Sequence, residues 1–209
     1  VPEGQRIAVN VAVGRVTVTN VNGRLSVDAS SADIDARGTA GQFSVDVGSG
    51  DVEISDARGD LTIETGSGDV KLSAIRAAQV GIETGSGNVN ATGLGATTLK
   101  VETGSGDVEL SGVSAPDVSA ETGSGNLMVQ VDGSLRRFSG ETGSGDITLR
   151  APASLSARVE IETSSGDITS DFAVAVTRRE EDRLVGSIGD GQGSITVDTG
   201  SGDVRLLKD

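Results

Sequence analysis

Apolar and polar residues alternate in short runs along almost the whole chain, and the runs come in pairs. Leu61 and Ile63, Val80 and Ile82, Leu99 and Val101, and Val159 and Ile161 precede a glycine-rich stretch. Val52 and Ile54, Val70 and Leu72, Val108 and Leu110, and Ile147 and Leu149 follow one. Alternation with period two predicts β-strands that bury one face. A further apolar residue recurs after each pair, at Ala57, Ile75, Leu94 and Val113, and is expected to face inward from a third, rounded side. Towards the N-terminus Ile7, Val9, Val11, Val16, Val18, Leu25 and Val27 keep the alternation without the glycine corner.

The glycine-rich stretch is itself a repeat. It reads DVGSGDV from Asp46, ETGSGDV from Glu64 and Glu102, ETGSGNV from Glu83, ETGSGNL from Glu121, ETGSGDI from Glu141, ETSSGDI from Glu162 and DTGSGDV from Asp198. A weaker copy, DASSADI, starts at Asp28. Successive copies begin 18 to 21 residues apart, until a last step of 36. Fixed-period self-similarity with two strands per unit predicts stacked coils. The expected fold is all-β, a single parallel β-solenoid of about ten coils, right-handed by the general preference of parallel crossovers. At about 4.8 Å per layer the rod is on the order of 50 Å long. The chain divides into degenerate N-terminal coils (1–27), regular repeats (28–170), an insertion (171–192) and a final coil (193–209). The insertion holds Phe172, Val174 and Val176, then the charged run Arg178-Arg179-Glu180-Glu181-Asp182-Arg183. It reads as a hairpin with a charged tip, suited to capping a solenoid end or to binding.

Phase along the strand assigns each corner residue a direction. With Leu61 and Ile63 facing in, Thr65 faces in and Glu64 faces out. Thr65, Thr84, Thr103, Thr122, Thr142, Thr163 and Thr199 then form an internal ladder whose methyls pack and whose hydroxyls meet corner backbone or the next Thr. The glycines are expected to supply positive φ, with Ser bonding back to the local backbone. Asp69 is replaced by Asn88 and Asn126 in other coils, so its side-chain oxygen rather than its charge is expected to matter, in an Asx-type turn. The outward column of Glu64, Glu83, Glu102, Glu121, Glu141 and Glu162, continued by Asp28, Asp46 and Asp198, stacks one like charge per layer. Neighbours repel by roughly 1 kcal/mol in water. Splayed side chains, Lys71 or Lys100 reaching across, or weakly bound Ca²⁺ would relieve this, hard cations preferring oxygen ligands.

Composition narrows the function classes. The 209-residue chain has 31 Gly, three Phe and no Trp, Tyr, His or Cys, with a formal net charge of −14. The charge argues against nucleic acid or an anionic membrane as partner. Without Cys or His there is no disulfide, thiol or Ser–His chemistry. No apolar run approaches a membrane span. The opening Val1-Pro2-Glu3 carries no signal segment, as expected of a mature or trimmed form. GSGD lacks the following GK[ST] of a phosphate loop, and its 19-residue unit differs from the nine-residue calcium-binding repeats. Paired carboxylates for glycan chemistry are available, yet regular repetition is unlike a unique active site and aromatic sugar platforms are missing. No catalytic residue and no cofactor is expected.

The repeated ETGSGDV-x-L corner, GRVTVTN at 14–20 and DTGSGDVRLL at 198–207 resemble the bacterial DUF4097 family, and TRREEDRLVGSIGDGQGSITVDTGSGDVRLL is similar to its usual C-terminal end. The resemblance implies a β-solenoid, an exported or cell-envelope location, an adhesin label, and no established catalytic residues. The expected function is a non-catalytic extracytoplasmic scaffold or adhesion surface with an envelope, cell-surface or glycan partner. The alternatives are a polysaccharide-acting enzyme on a β-helix and a self-assembling solenoid. A monomer and an end-to-end or side-by-side oligomer both remain open.

Overall fold

The computed structural model describes residues 6–180 and 182–209. The Val1-Pro2-Glu3 opening and Glu181 of the charged run lie outside the described residues. Alternation becomes strand throughout, in one twenty-stranded sheet wound into a coil. The first two coils are single bent strands, β1 (Arg6–Thr19) and β2 (Arg24–Arg37). Thereafter each coil is a pair: β3 (Phe43–Ser49) with β4 (Val52–Ser55), β5 (Leu61–Ser67) with β6 (Val70–Arg76), β7 (Gln79–Ser86) with β8 (Val89–Gly95), and β9 (Thr98–Ser105) with β10 (Val108–Val113). The pairs continue as β11 (Asp117–Ser124) with β12 (Leu127–Val131), β13 (Arg137–Thr142) with β14 (Ile147–Ala151), and β15 (Ala157–Thr163) with β16 (Ile168–Ser170). After them come β17 (Val174–Arg179), β18 (Arg183–Ile188), β19 (Gly193–Thr199) and β20 (Val204–Lys208).

Equivalent residues pair in parallel from layer to layer, as in Glu64↔Glu83 and Val70↔Val89. The alternating residues Leu61, Ile63, Val70 and Leu72 fill the interior with their counterparts. Ala57, Ile75, Leu94 and Val113 are buried on the third side, as the pattern requires. A thin aliphatic core repeated at every layer is how a chain with three Phe and no Trp or Tyr buries enough apolar surface.

The third side turns through a left-handed residue. Asn20, Gly38, Asp56, Ala74, Gly93 and Gly112 all have φ between 52° and 66° and stand 18 or 19 residues apart. Gly, Asn and Asp tolerate this conformation, whereas Ala does so at a cost.

Layer order departs from chain order at the C-terminal end. A sequential solenoid would stack β15 on β13. Instead β13 pairs with β19, and β19 pairs on its other edge with β15, both in parallel. On the neighbouring side β14 pairs with β20, and β20 with β16. The last coil of the chain is therefore an inner layer. The cause is the 171–192 segment: β18 runs antiparallel along the outer edge of β15, with β17 antiparallel outside it. With that edge taken, the chain leaving Ile188 beside Ala157 finds only the inner edge of β15 open.

Candidate functional site

The GSGD corner is built by contacts between layers rather than within one turn. The amide of Asp69 is left over by the main-chain ladder and donates to Asp51 Oδ1 at 2.9 Å. The amide of Asn88 donates to Asp69 Oδ1 at 2.8 Å, and that of Asp107 to Asn88 Oδ1 at 3.0 Å. The expected Asx turn is thus corrected: the required side-chain oxygen accepts from the next layer's equivalent amide, not from its own loop. Ser49 likewise donates to Ser31 Oγ of the layer beneath, at 3.2 Å.

The two glycines answer different needs. A Cβ on Gly68 would lie 2.1 Å from the Gly50 carbonyl oxygen, and its φ is +141°. Gly66 has no positive φ, but a Cβ there would come 2.5 Å from the Gly48 carbonyl oxygen. Positive φ therefore explains only the second glycine of the motif, and close stacking of backbone on backbone explains both.

The Thr ladder is buried. Thr103, Thr122 and Thr142 donate to the carbonyls of Gly87, Gly106 and Gly125 in the preceding layer, at 3.1, 3.0 and 3.0 Å. Thr199 donates to Gly145 and Thr163 to Gly202, each at 3.1 Å, following the spatial order of layers. The hydroxyls of Thr65 and Thr84 are buried without a partner.

Charge along the Asp/Asn column is managed by two devices. In mid-rod Asp69, Asn88, Asp107 and Asn126 alternate, and each Asn Nδ2 donates to the Asp below it at 3.2 Å. Where Asp146, Asp203 and Asp167 follow one another without Asn, Arg205 bridges Asp146 at 2.8 Å and Asp203 at 2.7 Å. At the other end Arg15 meets Asp33 at 3.1 Å. The Asp203 amide, then the Arg205 guanidinium, hold the Asp146 carboxyl below the usual carboxylate range.

The outward acidic column is in register: Asp46 pairs with Glu64, Glu64 with Glu83, Glu83 with Glu102, Glu102 with Glu121 and Glu121 with Glu141. Asp198 then stands between Glu141 and Glu162. Lys100 reaches Glu102 at 2.6 Å. Its ammonium is held above the usual lysine range by that bond, with Glu83 and Glu121 adding attraction. Lys71 lies on the other side of the coil, in register with Glu53 and Asn90. At the far end Arg183 pairs with Glu160 and, at 3.7 Å, with Glu162. The side-chain-free Gly48, Gly66, Gly85 and Gly104 leave a groove of about 670 Å³ beside the column. The carboxylates stand one per layer. Among the described residues no group of three or more His, Cys, Asp or Glu is arranged to hold a metal ion.

A second hollow, of about 500 Å³, lies where the repeat breaks, between the loops carrying Pro116, Leu135, Pro152, Leu155 and Gln192. Its rim residue Arg136 is taken up by Asp117 at 2.7 Å. That pairing lowers the Asp117 carboxyl and raises the guanidinium. Sequence reasoning missed this hollow. The available signal was the run of irregular loops with Pro116 and Pro152 after so many regular turns.

These features describe a structural repeat scaffold, with its chemistry spread evenly over layers. No helix among the described residues is long and apolar enough to cross a membrane. No curated protein and no solved structure matches the chain. Residues 37–207, from the second coil through the inserted last one, match the family model of the Toastrack DUF4097 proteins, and the chain belongs to that family.

Proposed function

We propose that the chain is a non-catalytic bacterial scaffold, exported or held in the cell envelope, that presents its repeated outer face as an adhesion-type surface. The observation carrying this reading is the in-register acidic column, which offers the same group at every layer beside a glycine-floored groove. A catalytic site would gather unlike groups at one point, with charges shifted by their neighbours. Here the shifts at Lys100 and Arg136 arise within single side-chain ion pairs, and that at Asp146 from the next layer's amide and Arg205. Support for an envelope location comes from the resemblance of the corner and C-terminal motifs and from the high negative charge, which favours solubility and a repeat-wide cation-facing surface.

Fractionating cells that make the full-length protein tests the location: recovery with the envelope or medium is expected, and recovery confined to the cytosol overturns it. Incubation with acidic and neutral polysaccharides, with and without Ca²⁺, tests the absence of catalysis. No new reducing ends are expected. Turnover that is lost in Glu102→Gln would instead establish the enzyme reading.

A further inference from the structure

The inserted last coil combines two properties that seldom coincide. It is an inner layer, gripped along both edges, yet within the described residues only a short turn joins it to the strands that precede it. Below it, Thr199 holds Gly145 and Arg205 holds Asp146. Above it, Thr163 holds Gly202 and the Asp167 amide meets Asp203 Oδ1 at 3.0 Å. Its connection to the rest is the short turn 189–192, where Gly189 and Gly191 have φ of 56° and 66°. Without this coil, β13–β14 and β15–β16 would face one another with open strand edges across a gap one layer deep. The gap is shaped for a segment of the form apolar-x-apolar-D/E-T-G-S-G-D-V-x-L, with a Thr hydroxyl, corner oxygens and backbone edges ready for it.

We propose that this slot is a strand-exchange site whose ligand in trans is the final coil, residues 193–208, of a second copy of the chain. Every contact that holds the coil in its own slot is reproduced when two copies trade coils, so exchange loses no pairing. Only the turn 189–192 chooses between self and partner. A short tether gives the chain's own coil an effective concentration of about 1 mM. Exchange therefore becomes substantial when chains refold together near that concentration, and a turn too short to reach home makes it obligatory.

The absence of native cysteine makes the test clean. Ser139 and Thr196 are register partners across the lower edge of the slot, at a spacing a disulfide can span. One full-length preparation carries Ser139→Cys alone and the other Thr196→Cys alone. The two are unfolded together, refolded over a range of concentrations and oxidised. A control mixture carries Ser44→Cys and Thr62→Cys, register partners in adjacent sequential layers, where exchange would require trading most of the molecule. Near 1 mM the slot pair is expected to yield roughly tenfold more disulfide-linked dimer than the control, falling towards it on dilution. Equal yields at every concentration overturn the proposal. A second variant lacking residues 190–192 is expected to sediment as a dimer even when dilute, and a folded monomer overturns the proposal. Should that variant not fold, the concentration series alone decides.

Discussion

At the N-terminal end β1 is a continuous 14-residue strand whose outer edge has no partner among the described residues, and Ile7, Val9 and Val11 stay only half-buried. At the C-terminal end the outer edge of β15 is covered by an antiparallel hairpin, Leu184 and Ile188 are buried, and the last coil has moved inside. The first coils turn without glycine pairs: Ser30 and Ala32 stand where later layers have Gly, and the backbone runs through as one strand. β2 is already paired on both edges, with β1 on one side and β3 and β4 on the other. The GSG pair therefore goes with the tight corner that splits each later layer into two strands rather than with stacking alone. Repeats thus define the geometry of a layer, while irregular segments decide where each layer goes. The edge left open carries Arg6, Asn10 and Arg15, charged and polar groups that discourage edge-to-edge addition.

The sharpest way to break this comparison is to add a methyl group at equivalent corners of the two ends. A Cβ on Gly202 would lie 2.1 Å from the Gly145 carbonyl oxygen, whereas one on Gly14 would meet nothing within 4 Å. Gly202→Ala is expected to destabilise by about 4 kcal/mol, in the range reserved for unavoidable backbone clashes. Gly14→Ala should cost about 1–2 kcal/mol, from its φ of +144° alone. Denaturant unfolding measures both, and equal losses would show that the end layers are as tightly pressed as the inner ones.

A smaller effect separates the charge devices. Arg205→Ala leaves Asp146, Asp203 and Asp167 as an unrelieved run. Because Arg205 is 39% exposed, solvent weakens the loss, which should be well below that of Gly202→Ala, and added salt should shrink it further. The Asp146 carboxyl, held low by the Asp203 amide and Arg205, gives the sign with pH. Its stabilisation is present above the ordinary Asp value of about 3.9 and is lost as pH falls below it towards the lowered folded value. The difference between the native protein and Arg205→Ala should therefore narrow on acidification below about pH 4. A gap that widened there would contradict the assignment.

Most of the fold was legible in the sequence because the period is short and the phase strict. Leu61, Ile63 and Thr65 point inward from alternation alone, and Ala57, Ile75, Leu94 and Val113 follow from recurrence. The layer order was not legible: DTGSGDV at 198 and ETSSGDI at 162 fit the same neighbours, so nothing in the corner says which lies deeper. That choice is made by β18 occupying an edge, a fact of pairing rather than of pattern. The partner of each corner Asp was also hidden, because Asp/Asn exchange reports the need for an oxygen without saying which amide meets it. In the candidate site, the column of Glu64 to Glu162 was visible, but Asp198 standing between Glu141 and Glu162 depended on the unforeseen order.

The Thr ladder offers a third contrast, of about 1 kcal/mol and opposite sign at its two ends. Thr199→Val deletes a hydroxyl that holds the Gly145 carbonyl and should destabilise by about that amount. Thr65→Val deletes a buried hydroxyl that has no partner, at a column position already Val47 in the layer below. It should be neutral or stabilise by up to about 1 kcal/mol. Paired thermal melts of the two variants decide it, and a destabilised Thr65→Val would mean that this hydroxyl is bonded in solution.

The least effect is expected at the left-handed corner of the earlier layers. Ala74 has a φ of 53° and an exposed side chain, so its methyl group buries little while keeping the backbone in a region that costs an L-residue about 1–2 kcal/mol. Gly93 and Gly112 occupy the same place without that cost, at φ of 66° and 64°. Ala74→Gly removes the strain but gives the unfolded chain more freedom, which offsets roughly 0.5–1 kcal/mol. The net gain should be about 0.5 kcal/mol, a rise in melting temperature of about 1–2 °C for a domain this size. Asp56→Gly, at a residue type already tolerant of this conformation and paired with Arg37 at 3.6 Å, should give no gain. A rise in the first variant without one in the second assigns the gain to relief of Ala74. Equal rises would mean that the whole corner column is strained, and the early layers would then owe their regularity to the GSGD side alone.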